Sequence, residues 1–258
     1  MTNSTDEARR EWDAPAYDTL NAPMTARGND AVARLELHGG ETVLDAGCGT
    51  GEVTATLLER LPRGRVVALD GSRQMLDAAR GRFAGDPRVG FVHADLERPL
   101  PLDEAVDAVV STSTFHWVRD HDALFRNLAA VLAPGGQLVV DCGGAGNIPI
   151  VLETLRELGH TQHPWTYAGA EETQARLRAA GFDCVDVRLR PRVSRHERAE
   201  LERFLTTVVL RTFVLELGAE RGAALVRDVA DRLPGGELHW VRLEIVARLS
   251  DAGAATPA

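Results

Sequence analysis

The apolar positions of this chain fall into short runs separated by longer stretches with a helical period. A run of four to eight apolar residues bounded by turn signals reads as a buried strand, and recurrence at i, i+3, i+4 and i+7 reads as an amphipathic helix. On that basis residues 42–47 form a first strand, 52–61 a helix stopped by Pro62, and 65–70 a second strand. Ser72 can N-cap a helix over 73–84 that keeps Met75, Leu76 and Ala79 on one face. A third strand, Val89 to Val92, ends in His93-Ala94-Asp95-Leu96. A fourth, Val106 to Val110, is followed by Ser111-Thr112-Ser113-Thr114-Phe115-His116-Trp117. Asp120 can cap a helix reaching Leu132, and Pro134-Gly135-Gly136 turns the chain into a fifth strand, Gln137 to Cys142. Beyond Asp141 the pattern gives a helix over 148–159, an aromatic loop from His163 to Tyr167 and a helix over 171–180. A strand from Phe182 to Leu189, two helices within 195–232 split near Gly218, and a last strand from Trp240 to Val246 follow. Before the first strand lie a loose arm over 1–11, the aromatics Trp12 and Tyr17 in a polar context, and a helix over 25–38; a short tail runs from Asp251. Strands alternating with helices of these lengths predict a parallel, doubly wound sheet with right-handed crossovers.

Composition narrows the class. The 258 residues suit one domain, and 44% hydrophobic content can fill a core. A formal charge of −9 argues against a broad nucleic-acid surface, which needs a basic face. No apolar run approaches a membrane span, and the polar N-terminus lacks the apolar core of a secretory signal. The three cysteines, Cys48, Cys142 and Cys184, are odd in number and read as reduced thiols of a cytoplasmic protein. No cluster with metal-ligand spacing stands out, which disfavours metal-assisted chemistry. The expected partner is a small molecule, with neither nucleic acid nor membrane involved.

The stretch Thr42-Val43-Leu44-Asp45-Ala46-Gly47-Cys48-Gly49-Thr50-Gly51 carries the chemistry. Its glycines sit at the carboxyl end of a strand, where open α/β sheets bind ligands. Glycine there lets backbone approach a small molecule closely. The spacing is G-x-G-x-G rather than the G-x-G-x-x-G of a dinucleotide site, and no lysine follows Gly51 as a phosphate loop requires. Asp70 closes the second apolar run, 23 residues after Gly47, where a carboxylate can accept both hydroxyls of a ribose.

Together, VLDAGCGTG and VVALD resemble the first two motifs of class I S-adenosylmethionine (SAM) dependent methyltransferases. The resemblance covers residues 40–142, with PGGQLVV as the turn into the fifth strand and AAGF before the sixth. More narrowly, WDAPAYD, STSTFHWVRDHDALFRNLAAVLAPGG and LHWVRLEIVARL resemble the trans-aconitate and juvenile-hormone-acid methyltransferases. The resemblance implies a Rossmann-like α/β fold whose seven-stranded sheet has the order 3-2-1-4-5-7-6, strand seven antiparallel. It implies one domain over 1–258, with a helical lid in 1–40, a SAM-binding core in 41–142 and a helical insertion over the substrate in 195–232.

The resemblance also implies roles. The backbone of Gly47, Cys48, Gly49 and Gly51 would meet the methionine portion of SAM, with S-adenosylhomocysteine as product. Asp45 would orient the loop and reach the ligand amino group, or only tie down the turn. Asp70 would take the ribose hydroxyls; Gly71 and Met75 would line the adenine slot, with Met75 equally readable as helix core. Asp95 would accept from the adenine amino group and Leu96 would donate its backbone amide. Ser111 and Thr112 would face sulfur and methyl, or simply end their strand. Trp12 and Tyr17 read as a cover for the sheet edge or as a lid, Tyr17 over the cofactor and Trp12, with Trp117 as pocket wall, over the substrate. His116, with an unperturbed pKa near ~6.5, could serve a hydroxyl as base, donate to a carboxylate, or cap its loop. The arginines from Arg188 to Arg203 read as a solvated face, or one of them as reaching inward to fork onto an anionic substrate, and Trp165 and Tyr167 as structural ahead of substrate-binding. The expected reaction is O-methylation of a carboxylate or hydroxyl in natural-product biosynthesis. The alternatives are C- or N-methylation, or SAM binding without transfer in a cyclase or regulator.

Overall fold

The central strands alternate side chains between two cores. Val43, Val110 and Val139 face one side, whereas Leu44, Val109, Leu138 and Val140 face the other. A sheet buried on both faces needs this pattern of continuous apolar residues. The structure, a computed structural model, describes residues 11–19 and 22–251, apart from the side chains of 22–26 and 184–185. The arm expected before Glu11, the tail after Asp251 and the Cys184 side chain lie outside the described residues.

The strands are β1 (Thr42–Ala46), β2 (Arg65–Asp70), β3 (Val89–His93), β4 (Val106–Thr112), β5 (Leu132–Gly143), β6 (Phe182–Arg195) and β7 (Glu237–Leu249). They form one sheet of order 3-2-1-4-5-7-6, in which β7 runs antiparallel to both β5 and β6. This is the expected order. The helices are α1 (Ala14–Asp18), α2 (Ala22–Ala33), α3 (Glu52–Arg60), α4 (Arg73–Arg82), α5 (His121–Val131), α6 (Pro149–Glu157), α7 (Ala170–Ala179), α8 (Arg198–Phe204), α9 (Arg211–Leu217) and α10 (Ala219–Asp231). Ser72 Oγ accepts from the Met75 N–H at 3.2 Å and Asp120 Oδ1 from the Ala123 N–H at 2.8 Å, so both expected caps form.

Three departures from the sequence pattern have local causes. Helix α2 ends at Ala33 rather than at residue 38, because the Arg60 guanidinium binds the carbonyls of Val32 and Leu35 and terminates the ladder. Strand β6 runs past Pro191 to Arg195, six residues further than expected. It is an edge strand, where a proline without an N–H is tolerated, and it pairs along its length with β7 down to Arg195 opposite Glu237. The helical region of 195–232 holds three helices instead of two, because the π-helical turn Leu205–Val209 interrupts the first.

That helical region has a core of its own. Leu201, Phe204, Leu205, Val209 and Phe213 pack with Val226 and Val229 of α10 and with Val151 and Leu155 of α6. Tyr17, Trp117 and Trp240 lean on the same cluster from the cavity side. A second hydrophobic centre therefore stands above the carboxyl ends of the sheet and roofs the space between.

Candidate active site

A cavity of about 480 Å³ opens at the carboxyl ends of β1, β2, β3 and β4. Its first half is lined by Gly47, Gly49, Asp70, Gly71, Met75, Asp95 and Leu96. Its second half is lined by Trp12, Tyr17, His116, Trp117, Trp165, Tyr167 and Phe213.

The first half is shaped by backbone. The N–H groups of Gly47 and Cys48 both bond to the Leu69 carbonyl, at 2.7 and 2.9 Å, which folds the glycine loop over the end of β2. Gly47 has φ +84°, and a Cβ there would meet the Thr114 side chain at 2.1–2.7 Å. Gly49 has φ +55° and nothing within 4 Å of a built Cβ, so its backbone faces open space in the cavity. Asp70 accepts from the Gly49 N–H (2.9 Å, Oδ2) and the Ser72 N–H (2.8 Å, Oδ1). Each oxygen keeps a lone pair, which suits two neighbouring hydroxyls. Burial pushes the Asp70 carboxyl above its ordinary pKa. Asp95 Oδ1 is oriented by the Glu97 N–H at 3.0 Å, and Asn127 Nδ2 holds the Leu96 carbonyl at 2.9 Å.

A short arm covers this half. The carboxylate of Glu11 accepts from Ser72 Oγ and from the backbone N–H groups of Arg73 and Gln74 at 2.9–3.0 Å, at the N-terminus of α4. There it also meets the positive end of the helix dipole. At the other end of the arm Asp18 accepts from Thr50 Oγ1 at 2.5 Å. Trp12 and Tyr17 hang between these two anchors, 5.7 Å apart edge to face.

The second half carries buried charge. Arg242 is 3% exposed. It donates from Nε and Nη2 to Asp141 Oδ1 at 2.8 and 2.5 Å, and from Nη2 to Ser113 Oγ at 3.1 Å. Arg27 lines the same cavity, and its Nε is buried with no hydrogen-bond partner. Burial, helped by the charge of Arg242, lowers its pKa to about 10. The His116 Nδ1 accepts from the Gly143 N–H at 3.2 Å. Burial and the neighbouring Arg242 hold its pKa well below the ordinary value. The ring is therefore neutral and carries its proton on Nε2, where it is a donor. Burial likewise raises the Tyr17 phenol to about 12. Among the described residues, the non-glycine residues with positive φ are Ser113 (54°) and Ile148 (42°), and both line this cavity. Backbone strain of this kind persists where surrounding contacts over-determine it.

Of the residues singled out from the sequence, Gly47, Gly49, Asp70, Gly71, Met75, Asp95, Leu96, Tyr17, Trp12, His116 and Trp117 come together around the cavity. Asp45, Cys48 and Ser111 do not line it. Asp45 is buried beneath the loop and accepts from Thr54 Oγ1 of α3 at 2.7 Å, so it ties the turn to the helix. The Cys48 side chain points to Ala68 and Leu76 behind the loop. Ser111 Oγ donates to the Ala46 carbonyl at 2.6 Å and joins β4 to β1. The sequence reading missed Arg27 and Arg242 and set Trp165 and Tyr167 aside. Arg27 sits on a weakly patterned helix and Arg242 on the last strand, and only the fold brings either to the cavity. Among the described residues, no group of three or more His, Cys, Asp or Glu could hold a metal ion, and no helix is long and apolar enough to cross a membrane.

Residues 43–136 match the family model described as a methyltransferase domain. The matched residues hold the glycine loop and Asp70, and the sheet has the order that the resemblance to class I SAM-dependent methyltransferases implies. Curated relatives of the chain are trans-aconitate 2-methyltransferases. That of Paracidovorax citrulli is 33% identical over 173 residues, covering 67% of this chain and 65% of the relative. That of an Azoarcus species is 37% identical over 154 residues, covering 60% of this chain and 58% of the relative. The chain thus matches less than two thirds of the length of either. Geranyl diphosphate C-methyltransferase from Streptomyces coelicolor, solved with S-adenosylhomocysteine, shares the fold at a TM-score of 0.56 and 17% identity, over 87% of this chain and 78% of that one.

Two outcomes test this geometry. Burial raises the Asp45 pKa to about 7. Below about pH 4 both folded and unfolded chains are protonated there; between about 4 and 7 only the unfolded chain is ionised. Stability should fall as pH rises through that window, by about 1.4 kcal/mol per unit. Asp45→Asn, which keeps an acceptor for Thr54, should lack this slope in denaturant midpoints measured at pH 5, 6 and 7. Glu11→Ala should weaken the anchor by about 0.5–2 kcal/mol, read as faster amide hydrogen exchange over residues 12–18.

Proposed function

We propose that this protein is a SAM-dependent methyltransferase that methylates a carboxylate oxygen of a small molecule. The observation that carries the proposal is the division of one cavity into two unlike halves. One half has backbone glycines and Asp70; the other has aromatic walls around the His116 Nε2 donor, with Arg242 and Arg27, its Nε unpartnered, beside it. The fit to SAM rests on the open space beside Gly49, the two free lone pairs of Asp70 and the orphaned Nε of Arg27.

Asp70 would hold the ribose hydroxyls and Asp95 with the Leu96 amide the adenine. Gly47 and Gly49 would lie against the methionine portion, and Arg27 would meet its carboxylate with a charge-assisted bond. When bound, SAM supplies a methyl group already activated by a sulfonium leaving group. The protein then has to hold the nucleophile in line and keep water out. The cap over residues 198–231 and the arm carrying Trp12 and Tyr17 exclude water, with Trp117 as wall.

A carboxylate needs no base. A neutral His116 whose Nδ1 is already occupied can offer only a proton, which supports the donor role over the base role. The curated relatives are named for a carboxylate-bearing acceptor, which points the same way. The cavity volume lies in the range of small-molecule sites and, with the chain's −9 charge, supports a natural-product-sized acid over a macromolecule or nucleic acid. The free, buried thiols of Cys48 and Cys142 support a reducing compartment such as the cytoplasm.

Isothermal titration with S-adenosylhomocysteine should show micromolar or tighter binding; a folded protein that does not bind it sinks the proposal. Asp70→Ala should cost about 1–3 kcal/mol of that affinity, and Arg27→Gln a similar amount. His116→Ala should raise the Michaelis constant for the acceptor and lower turnover less than about tenfold, with wild-type turnover flat from pH 6 to 9. A loss of roughly 10²–10⁴-fold in turnover would instead make His116 a general base.

A further inference from the structure

The acceptor half of the cavity is walled by rings. Trp165 and Tyr167 lie 14° from parallel with centroids 5.9 Å apart. His163 stacks on Trp165 at 28°, and His116 stacks on Tyr167 at 29°. Trp12 and Trp117 meet edge to face at 5.2 Å. Phe204, Val208 and Val209, which the π-helical turn and the end of α8 present, line the same cavity. Aromatic faces of this kind favour offset stacking against another flat ring.

Three arginines line the same space, Arg242, Arg27 and, at the exposed rim, Arg119. Arg242 shares its charge with Asp141 and retains Nη1, which has no partner among the described residues. Arg27, whose Nε has no partner, would be shared with the carboxylate of the cofactor. The exposed Arg119 stands at the rim with Glu97, whose carboxylate accepts the Arg119 backbone N–H at 2.6 Å. A molecule with three carboxylates would bring three negative charges to Arg242, already half-neutralised by Asp141, to Arg119 at the solvent rim and to Arg27, which the cofactor would share, and unpaired charge is not retained in a desolvated site.

Building on the methyltransferase reading above, we infer that the acceptor is a planar aromatic or conjugated monocarboxylic acid. Its ring packs against the aromatic wall that holds Trp165 and Tyr167, and its carboxylate is met by His116 Nε2 and Arg242 Nη1. Polycarboxylates of the trans-aconitate type should be poorer acceptors, although the curated relatives carry that name. One carboxylate oxygen forms the new bond to the methyl carbon as the carbon–sulfur bond breaks and its electron pair goes to sulfur. The carboxylate and sulfonium charges cancel and no proton moves, in keeping with an imidazole that retains its Nε2 proton.

The full chain is incubated with methyl-labelled SAM and, separately, benzoate, trans-cinnamate, indole-3-acetate, trans-aconitate and citrate, with S-adenosylhomocysteine binding measured in parallel. Label should appear in the methyl ester of at least one aromatic acid, with kcat/KM about 100-fold or more above that for trans-aconitate. Trp165→Phe should retain this activity. Trp165→Leu should raise KM for the aromatic acid by about tenfold with S-adenosylhomocysteine affinity unchanged; Phe213→Leu, on the same wall, replaces it if that variant does not fold. Turnover of trans-aconitate within tenfold of the best aromatic acid overturns the inference. So does S-adenosylhomocysteine binding with no label in any aromatic acid, which leaves the cofactor reading standing. Failure to bind S-adenosylhomocysteine overturns the methyltransferase reading itself and the acceptor class with it.

Discussion

The structure depends on the stitching of the glycine loop to the end of β2. Three consecutive backbone amides, those of Gly47, Cys48 and Gly49, are taken by two neighbours on one strand, the Leu69 carbonyl and the Asp70 carboxylate. Only a backbone free to take positive φ can turn this tightly, and the Thr114 side chain fills the volume a Cβ at Gly47 would need. Once the loop is closed, α3 starts at a set position and Asp45 can reach Thr54 from below. Asp70 meanwhile points its remaining lone pairs into the cavity. The catalytic end of the sheet is thus organised by hydrogen bonds that are complete before any ligand arrives, which is the preorganisation a binding site gains most from.

The second half of the cavity is built on a different principle. Its walls come from segments far apart in the chain: the arm around Trp12, the turn at His116, the loop at Trp165, the π-helical turn and β7. Apolar packing in the cap's own core holds them together. The π turn matters because it shifts the helical register once, so that Phe204 and Phe213, nine positions apart, both border the cavity. Such turns are often found at functional sites.

This division explains what could be read from the sequence. The glycine spacing, Asp70, the strand order and the caps at Ser72 and Asp120 depend on neighbours within a few residues or on a strand pattern, and such features are visible along the chain. The early end of α2 depends on Arg60, twenty-eight positions from Val32, and the reach of β6 past Pro191 depends on lying at an edge. Neither dependence has a local signature. Ser111 illustrates the same limit: a polar strand end reads as a ligand contact, yet its hydroxyl is consumed by Ala46 of the neighbouring strand. Arg27 and Arg242 are 215 positions apart and acquire meaning only when the fold places both beside Asp141.

The β6–β7 pairing has a consequence for how such a protein can diversify. The cap leaves the sheet after Arg195 and returns at Glu237, and these two residues are paired across the hairpin. The whole excursion between them is therefore a cassette with adjoining ends. Exchanging or rebuilding it leaves the entry and exit points, the glycine loop and Asp70 untouched. A lineage built on this plan can keep one methyl donor while it replaces the roof over the acceptor, so that new specificities arise by substituting a single contiguous segment.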